Sequence, residues 1–242
     1  MIEIKNLVKN YGKLKAVDGL DLKISDGELY ALLGLNGAGK STTVKIISGL
    51  TQKTSGSVIV NGINIDESIG EIKKIVSVSP QETAVANNLT VKENLELIAT
   101  LYDVKNINEA VNTHLKKFGL TEKENVRAKK LSGGQKRRLS IAMSVICDPK
   151  ILILDEPTLG LDVLARRNLW EVIKELKKNV TVILTTHYLE EAEALADKIG
   201  ILKRGRLVTE GSPEEIIAFS GEKTFEEAFI ALAKDGEGDY DD

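Results

Sequence analysis

The chain has 242 residues, of which 33 are basic and 36 are acidic, so its formal net charge is −3. This balance does not suit a protein that mainly covers nucleic-acid phosphates, and we expect no nucleic-acid partner. The one cysteine, Cys147, excludes an intrachain disulfide and fits a reducing compartment. The longest apolar runs fall far below the roughly 18 residues that span a bilayer, and the first residues lack a secretory pattern. We therefore expect a soluble intracellular chain.

Short runs rich in aliphatic and β-branched residues predict the strands. They are Ile2–Ile4, Val17–Ile24, Leu29–Leu33, Ser57–Val60, Val76–Ser79, Ile151–Asp155, Val180–Thr185 and Ile199–Leu202. The last three are almost continuously apolar and alternate with amphipathic helical patterns, as in a parallel sheet covered on both faces. A helix-rich stretch separates them from the earlier runs. We therefore predict an α/β core with a helical subdomain inserted at about residues 84–146.

Capping-box patterns, in which Ser or Thr is followed three residues later by Glu or Gln, predict four helix starts. These lie at Thr90, Ser132, Ser212 and Thr224. After the first of them, Val91, Leu95, Ile98 and Leu101 recur at helical spacing. This periodicity predicts that the four side chains form one buried stripe.

A glycine-rich segment directly follows the predicted strand Leu29–Leu33 and precedes a helical pattern. Its residues are Gly34, Leu35, Asn36, Gly37, Ala38, Gly39, Lys40, Ser41 and Thr42. This is the P-loop pattern in its strand–loop–helix context. Small residues let backbone N–H groups surround a polyphosphate, Lys40 can reach the β and γ phosphates, and Ser41 can ligate Mg²⁺. The alternative is an ordinary glycine-rich turn, but the flanking patterns favour phosphate binding.

Two carboxylates end the apolar run Ile151–Asp155. Alternation along a strand puts Asp155 and Glu156 on opposite sides, so they need not have the same role. Asp155 is suited to the Mg²⁺ shell, while Glu156 could orient or deprotonate an attacking water. An acidic strand end before a turn at Pro157 is the alternative. The P-loop in the same chain favours the functional interpretation.

The pentapeptide Leu131–Gln135, with the sequence LSGGQ, is the most specific motif in the chain. It resembles the signature motif of the ATPase subunits of ATP-binding cassette (ABC) transporters. The other family motifs follow in the expected order. They are Tyr11 for adenine stacking, Gln81 as the Q-loop glutamine, Gly160–Asp162 as the D-loop and His187 as the switch histidine.

Each of these residues also has a simpler explanation when it is taken alone. Ser132 and Gln135 could only cap a helix, and Asp162 could cap the helix that begins at Val163. Tyr11, Gln81 and His187 could be ordinary surface residues. The basic runs are predicted to be solvated helix faces. These runs are Lys136–Arg138 and Arg166–Arg167.

The resemblance implies a P-loop NTPase core with a mixed sheet, an antiparallel β subdomain and an inserted α-helical subdomain. It covers about residues 1–220. After it we predict a C-terminal helix at 221–234. The last segment, 235–242, holds five acids and no base and is predicted to be a disordered acidic tail.

The resemblance also implies ATP and Mg²⁺ as ligands. The expected catalytic residues are Lys40, Gln81, Glu156 and His187, and the expected Mg²⁺ ligands are Ser41, Gln81 and Asp155. The expected nucleotide-binding residues are Tyr11, Asn36, Gly37, Ala38, Gly39, Lys40, Ser41, Thr42, Ser132, Gly133, Gly134 and Gln135.

Two anion-binding helix starts, after Gly39 and at Ser132, lie in one chain. In the family, the signature loop of one subunit closes over ATP held by the P-loop of another, which implies a head-to-tail dimer of two copies. A separate membrane permease is also implied, docked near Gln81 and the helical subdomain, so the chain is expected in the cytoplasm on the inner face of the cell membrane.

Several segments look like those of drug or ABC-2-type exporters, which implies export of an unknown substrate. They are Leu89–Leu95, Gly160–Trp170, Thr186–Ala192 and Lys223–Phe229.

Two rival classes share the motifs. One is a soluble ABC ATPase acting on DNA or ribosomes, and the other is a nucleotide-gated clamp without turnover, against which Glu156 and His187 argue.

Overall fold

A computed structural model describes residues 1–233 of the chain. The predicted acidic tail at 235–242 and Lys234, the last residue of the predicted C-terminal helix, lie outside the described residues. None of the helices within residues 1–233 is long and apolar enough to cross a membrane.

The described residues form two sheets. Their strands are β1 (Ile2–Tyr11), β2 (Leu14–Ile24), β3 (Leu29–Leu33), β4 (Ser55–Val60), β5 (Ile63–Asn64), β6 (Val76–Ser79), β7 (Ile151–Asp155), β8 (Thr181–Thr186), β9 (Lys198–Lys203) and β10 (Arg206–Gly211). The larger sheet has the order β10-β9-β3-β8-β7-β6, in which only β10 is antiparallel to its neighbour. The smaller sheet, β2-β1-β4-β5, is antiparallel throughout. The predicted α/β class, with a mixed sheet and a separate antiparallel one, is confirmed.

Helices cover the larger sheet and form a separate group between β6 and β7. They are α1 (Lys40–Ile47), α2 (Ile69–Ile75), α3 (Val91–Leu101), α4 (Ile107–Lys117), α5 (Gly133–Val145), α6 (Val163–Lys177), α7 (Leu189–Leu195), α8 (Pro213–Ser220) and α9 (Phe225–Ala233). The predicted helix starts are confirmed by reciprocal hydrogen bonds, which join Thr90 with Glu93, Ser132 with Gln135, Ser212 with Glu215 and Thr224 with Glu227. Each box satisfies two backbone N–H groups that the first turn would otherwise leave unpaired.

The central strands are buried on both faces. In β3, Leu29, Ala31 and Leu33 belong to the core shared with α3, α5 and α6, whereas Tyr30 and Leu32 belong to the core shared with α1 and the antiparallel sheet. This division follows from the two-residue period of a strand. It explains why the strands of this sheet are almost continuously apolar in sequence.

The predicted stripe on α3 is wrong at its last position. Val91 and Leu95 are fully buried and Ile98 is partly buried, but Leu101 is 67% exposed. The helix ends at Leu101, and the chain then turns through Asp103, whose φ is 51°. Periodicity predicts the direction of a side chain, but here the packing partners end before the last turn.

The topology brings four loops to one edge of the larger sheet. Strands β3, β6, β7 and β8 are parallel, so their carboxyl ends lie side by side. The P-loop follows β3, Gln81 lies two residues after β6, Glu156 follows β7 and His187 follows β8. Residues that are far apart in sequence therefore meet at this edge.

Candidate functional site

A cavity of about 490 Å³ lies at this edge of the sheet. The residues that line it are Tyr11, Leu14, Lys15, Ala16, Asn36, Gly37, Ala38, Gly39, Lys40, Ser41, Thr42, Gln81, Glu156, Leu159 and His187. The structure thus brings together most of the residues predicted to bind or act on a nucleotide. The predicted signature residues Ser132–Gln135 do not line the cavity.

Two P-loop glycines are required by close backbone approaches. A Cβ atom at Gly34 would lie 2.5 Å from the carbonyl oxygen of Leu202, and one at Gly39 would lie 2.6 Å from that of Ala16. Gly39 also has a φ of 101°, which side chains rarely allow. The helix α1 begins directly afterwards, without a side-chain cap. Its first N–H groups are therefore available to an anion in the cavity.

Lys40 is a buried cation at the base of the cavity, with 6% of its surface exposed. Its ammonium group donates hydrogen bonds to the carbonyl oxygens of Gly34, at 2.7 Å, and Leu35, at 3.2 Å. Burial lowers the pKa of Lys40, and the carboxylates of Glu156 and Asp155 oppose this shift. A bound polyphosphate would add the negative charge that a buried ammonium group favours.

Asp155 lies beside two hydroxyl groups at the end of β7. The Ser41 hydroxyl donates to Asp155 Oδ1 at 3.2 Å, and the Thr185 hydroxyl donates to the same oxygen. Carboxylate and hydroxyl oxygens next to a phosphate cradle are ligands that Mg²⁺ prefers, so this set fits the predicted ion. Ser41 and Gln81 line the P-loop cavity, whereas Asp155 does not line it and is linked to it through the contact with Ser41. Thr185 was not predicted, because a threonine in an apolar strand gives no functional signal.

Glu156 and His187 form a hydrogen-bonded pair that faces the P-loop, in which Glu156 is buried and His187 is partly exposed. The distance from His187 Nδ1 to Glu156 Oε2 is 2.7 Å, and Lys40 Nζ lies 3.9 Å from Glu156 Oε1. Glu156 has a φ of 48°, in the left-handed region that non-glycine residues seldom adopt. Asp155 and Glu156 therefore have separate polar partners, in line with the sequence argument that the two carboxylates need not share a role.

Tyr11 lies at the mouth of the cavity and is 46% exposed. The ammonium group of Lys9 lies 4.7 Å from the centre of its ring. One face of a half-exposed aromatic ring at such a mouth can accept a flat ring by stacking. This position agrees with the role that the sequence resemblance implies for Tyr11.

The signature residues begin α5 away from the cavity. The Ser132 hydroxyl accepts from the Gln135 N–H at 3.3 Å, and Gln135 Oε1 accepts from the Ser132 N–H at 3.0 Å. Ser132 and Gln135 therefore cap α5, as their simpler explanation predicted. Asp162 caps α6, because its side chain accepts a hydrogen bond from the Ala165 N–H at 2.9 Å. Gly133 is exposed, and a Cβ there would meet no atom within 4 Å.

The prediction that both basic runs are solvated helix faces is wrong for Arg137. This side chain is 4% exposed and bonds to backbone carbonyl groups of the core. Arg166 is also partly buried, with its guanidinium group 4.7 Å from the ring centre of Tyr188. Successive helical residues point about 100° apart, so a run of charges on α5 cannot all face solvent.

A P-loop, a carboxylate–histidine pair and a serine–aspartate oxygen pair at one edge of the sheet define a P-loop nucleotide-binding protein. The family model described as ABC transporter matches residues 17–159. The chain belongs to the ABC transporter family.

Two curated relatives support this assignment. The chain is 38% identical, over 99% of its length, to a protein of Escherichia coli strain K12 named as the probable multidrug ABC transporter ATP-binding protein YbhF, of which the match covers 43%. It is 40% identical to the Nod factor export ATP-binding protein I of Rhizobium etli, over 89% of this chain and 69% of that one. The chain therefore spans less than half the length of the first relative.

A solved structure supports the fold. It is the dimeric post-hydrolysis state of the ATP-binding cassette MJ0796 bound to ADP and Pi. The TM-score is 0.79 at 27% sequence identity, and the match covers 88% of this chain and 98% of that one. The present chain is thus similar to an ATP-binding cassette over most of its length.

Proposed function

We propose that this chain binds and hydrolyses ATP with Mg²⁺ and powers export of a substrate through a separate membrane permease. The observation that carries the proposal is the single cavity that Lys40, Glu156 and His187 share with the P-loop. Phosphoryl transfer needs positioning and charge stabilisation more than covalent chemistry by the protein. The P-loop N–H groups, the buried Lys40 and the carboxylate of Glu156 meet these requirements.

Each predicted residue then has a role. The N–H groups of Asn36–Thr42 and the Lys40 ammonium would hold the phosphates, and Ser41, Asp155 and Gln81 would hold Mg²⁺. When bound, Mg²⁺ would supply positive charge that stabilises the charge developing on the phosphates. Glu156 orients the attacking water and accepts its proton. His187 fixes the Glu156 carboxylate through the 2.7 Å contact.

The position of the signature residues supports a role for a second copy of the chain. The signature residues Ser132–Gln135 do not line the cavity of their own chain, and Gly133 is open to approach. In a head-to-tail pair, each signature loop would close over the nucleotide of the other chain. Three exposed apolar residues beside the D-loop provide further contact area, namely Leu159, Val163 and Leu164. The solved structure of MJ0796 is also dimeric.

A second cavity, of about 500 Å³, offers a docking place for the permease near the Q-loop. Its lining includes Leu50, Pro80, Ile98, Tyr102 and Met143. Leu50 and Tyr102 are exposed, as is Leu101 at the end of α3. An apolar cleft next to Gln81 suits a cytoplasmic helix of a membrane protein. The chain would then lie in the cytoplasm against the inner face of the membrane.

The test is phosphate release by the purified chain. We expect release with MgATP and none when Mg²⁺ is removed by a chelator. We also expect a tagged chain to be isolated from detergent-treated membranes of its own cells together with a hydrophobic permease. ATP binding without phosphate release would instead support a clamp, and isolation with ribosomes or DNA would support a soluble factor.

Tyr11→Ala is expected to weaken MgATP binding by about tenfold, because one stacking contact with a base contributes about 1–3 kcal/mol. Tyr11→Phe keeps the ring and should bind ATP as the unchanged protein does. Both affinities can be measured by titration calorimetry. Equal loss in the two variants would mean that the hydroxyl group, and not stacking, is important.

A further inference from the structure

Arg137 is a buried cation that the proposed reaction does not explain. It lies on α5, five positions after Ser132, and is 4% exposed. Burial lowers its pKa to about 10, and the carboxylates of Asp155 and Glu191 oppose the shift. The side chain therefore keeps its charge at neutral pH. A buried charge is costly unless its hydrogen bonds are satisfied. The groups that bond to Arg137 therefore indicate its role.

Those partners are backbone carbonyl groups of two loops at the catalytic edge. Arg137 Nε donates to the carbonyl oxygen of Pro157 at 2.8 Å, and Nη2 donates to that of Asp155 at 3.0 Å. Nη1 donates to the carbonyl oxygen of Pro80, the residue before Gln81. One planar guanidinium group thus joins α5 to the segment around Glu156 and to the start of the Q-loop.

The two carbonyl groups near β7 belong to the residues on either side of Glu156. Glu156 itself has a φ of 48°, a conformation that costs about 1–3 kcal/mol and persists only where the surrounding structure enforces it. The Glu156 N–H also donates to the carbonyl oxygen of Thr185 at 3.0 Å. Arg137 and β8 therefore hold the backbone of Glu156 from different sides.

We propose that Arg137 is a positioning residue for ATP hydrolysis, which acts by fixing the backbone on both sides of Glu156 relative to α5. This inference rests on the proposed function. Arg137 does not line the P-loop cavity, so we expect it to make no contribution to ATP affinity.

The geometry requires arginine in particular. Its donors lie in one plane at fixed angles and can serve three carbonyl groups at once. A lysine would keep the charge, but its single nitrogen cannot reach all three carbonyl oxygens in the same arrangement. Because α5 begins at the capped Ser132, the same helix carries the signature residues at one end and Arg137 one turn further on. Movement of the signature loop would thus reach Glu156 through Arg137.

The test separates catalysis from binding. In Arg137→Lys, we expect the rate of phosphate release at saturating MgATP to fall by roughly ten- to a hundredfold, since a shift of about 1 Å at a catalytic group has that effect. The Kd for MgATP should change by less than about threefold. Arg138→Lys is the matched control. Arg138 donates to the carbonyl oxygen of Phe118 at 3.2 Å, and its variant should keep the full rate.

A double-variant measurement tells positioning from general loosening. If Arg137 acts through Glu156, adding Arg137→Lys to Glu156→Gln should not lower the residual single-turnover rate further. Multiplied losses would overturn the proposal, as would a full rate in Arg137→Lys. Should Arg137→Lys fail to give a cooperative thermal transition, Arg137→Gln undergoes the same two measurements. If the protein without substitutions released no phosphate from MgATP, that result would contradict the proposed function instead.

Discussion

Glu156→Gln is expected to lower the rate of ATP hydrolysis by about two to four orders of magnitude, the usual contribution of a general base, and to leave ATP affinity nearly unchanged. The amide has the shape of the carboxyl group but cannot accept the proton of the attacking water. Lys40, Ser41 and the P-loop N–H groups do not depend on this proton transfer, so the nucleotide is still held. The rate is measured as single-turnover phosphate release, and the affinity by titration calorimetry.

The same variant should accumulate as a dimer with MgATP. Hydrolysis is the step that would let the two copies separate, and the variant is blocked before it. Light scattering after size exclusion should report twice the monomer mass with MgATP and the monomer mass with MgADP. Glu193→Gln, an exposed change on α7, is the control and should hydrolyse ATP at the full rate. Hydrolysis by Glu156→Gln at the rate of this control would remove Glu156 from the mechanism.

The parts of the site that sequence predicts are those whose chemistry needs a fixed local pattern. The P-loop requires Gly34 and Gly39 because neighbouring backbone carbonyl groups leave no room for a Cβ atom at either position. It also requires the helix start that follows, whose N–H groups can bind an anion. The carboxylates at the end of β7 were predictable because a buried apolar strand ends in them. The observed bounds of β3, Leu29–Leu33, match the predicted ones, because this apolar run ends directly at the glycine-rich loop.

Contacts between distant segments were not predictable in this way. Arg137 belongs to a run of three basic residues, and only the position of α5 against β6 and β7 decides that its middle member is buried. Thr185 bonds to Asp155 because two neighbouring strands share a register, in which these two residues are paired. Leu101 is exposed because its helix ends there. In each case the deciding term is tertiary packing, which a local pattern does not encode.

Lys40→Ala should weaken MgATP binding by about ten- to a hundredfold. A charge-assisted hydrogen bond to phosphate contributes about 1.5–3 kcal/mol, and this ammonium group is held at the base of the cavity by the Gly34 and Leu35 carbonyl groups. Lys45→Ala, an exposed change on the same helix, is the control and should bind ATP with unchanged affinity. Both affinities are measured by titration calorimetry.

The fold should survive the loss of Lys40, which separates a binding defect from unfolding. Burial disfavours the charged form of this side chain, as its lowered pKa indicates, so relief of that desolvation cost offsets the lost contacts with the Gly34 and Leu35 carbonyl groups and with Glu156. Without ATP, we expect the Tm of Lys40→Ala to be close to that of Lys45→Ala. With MgATP, only Lys45→Ala should gain the stability that ligand binding provides. An equal gain in both variants would show that Lys40 does not hold the phosphates.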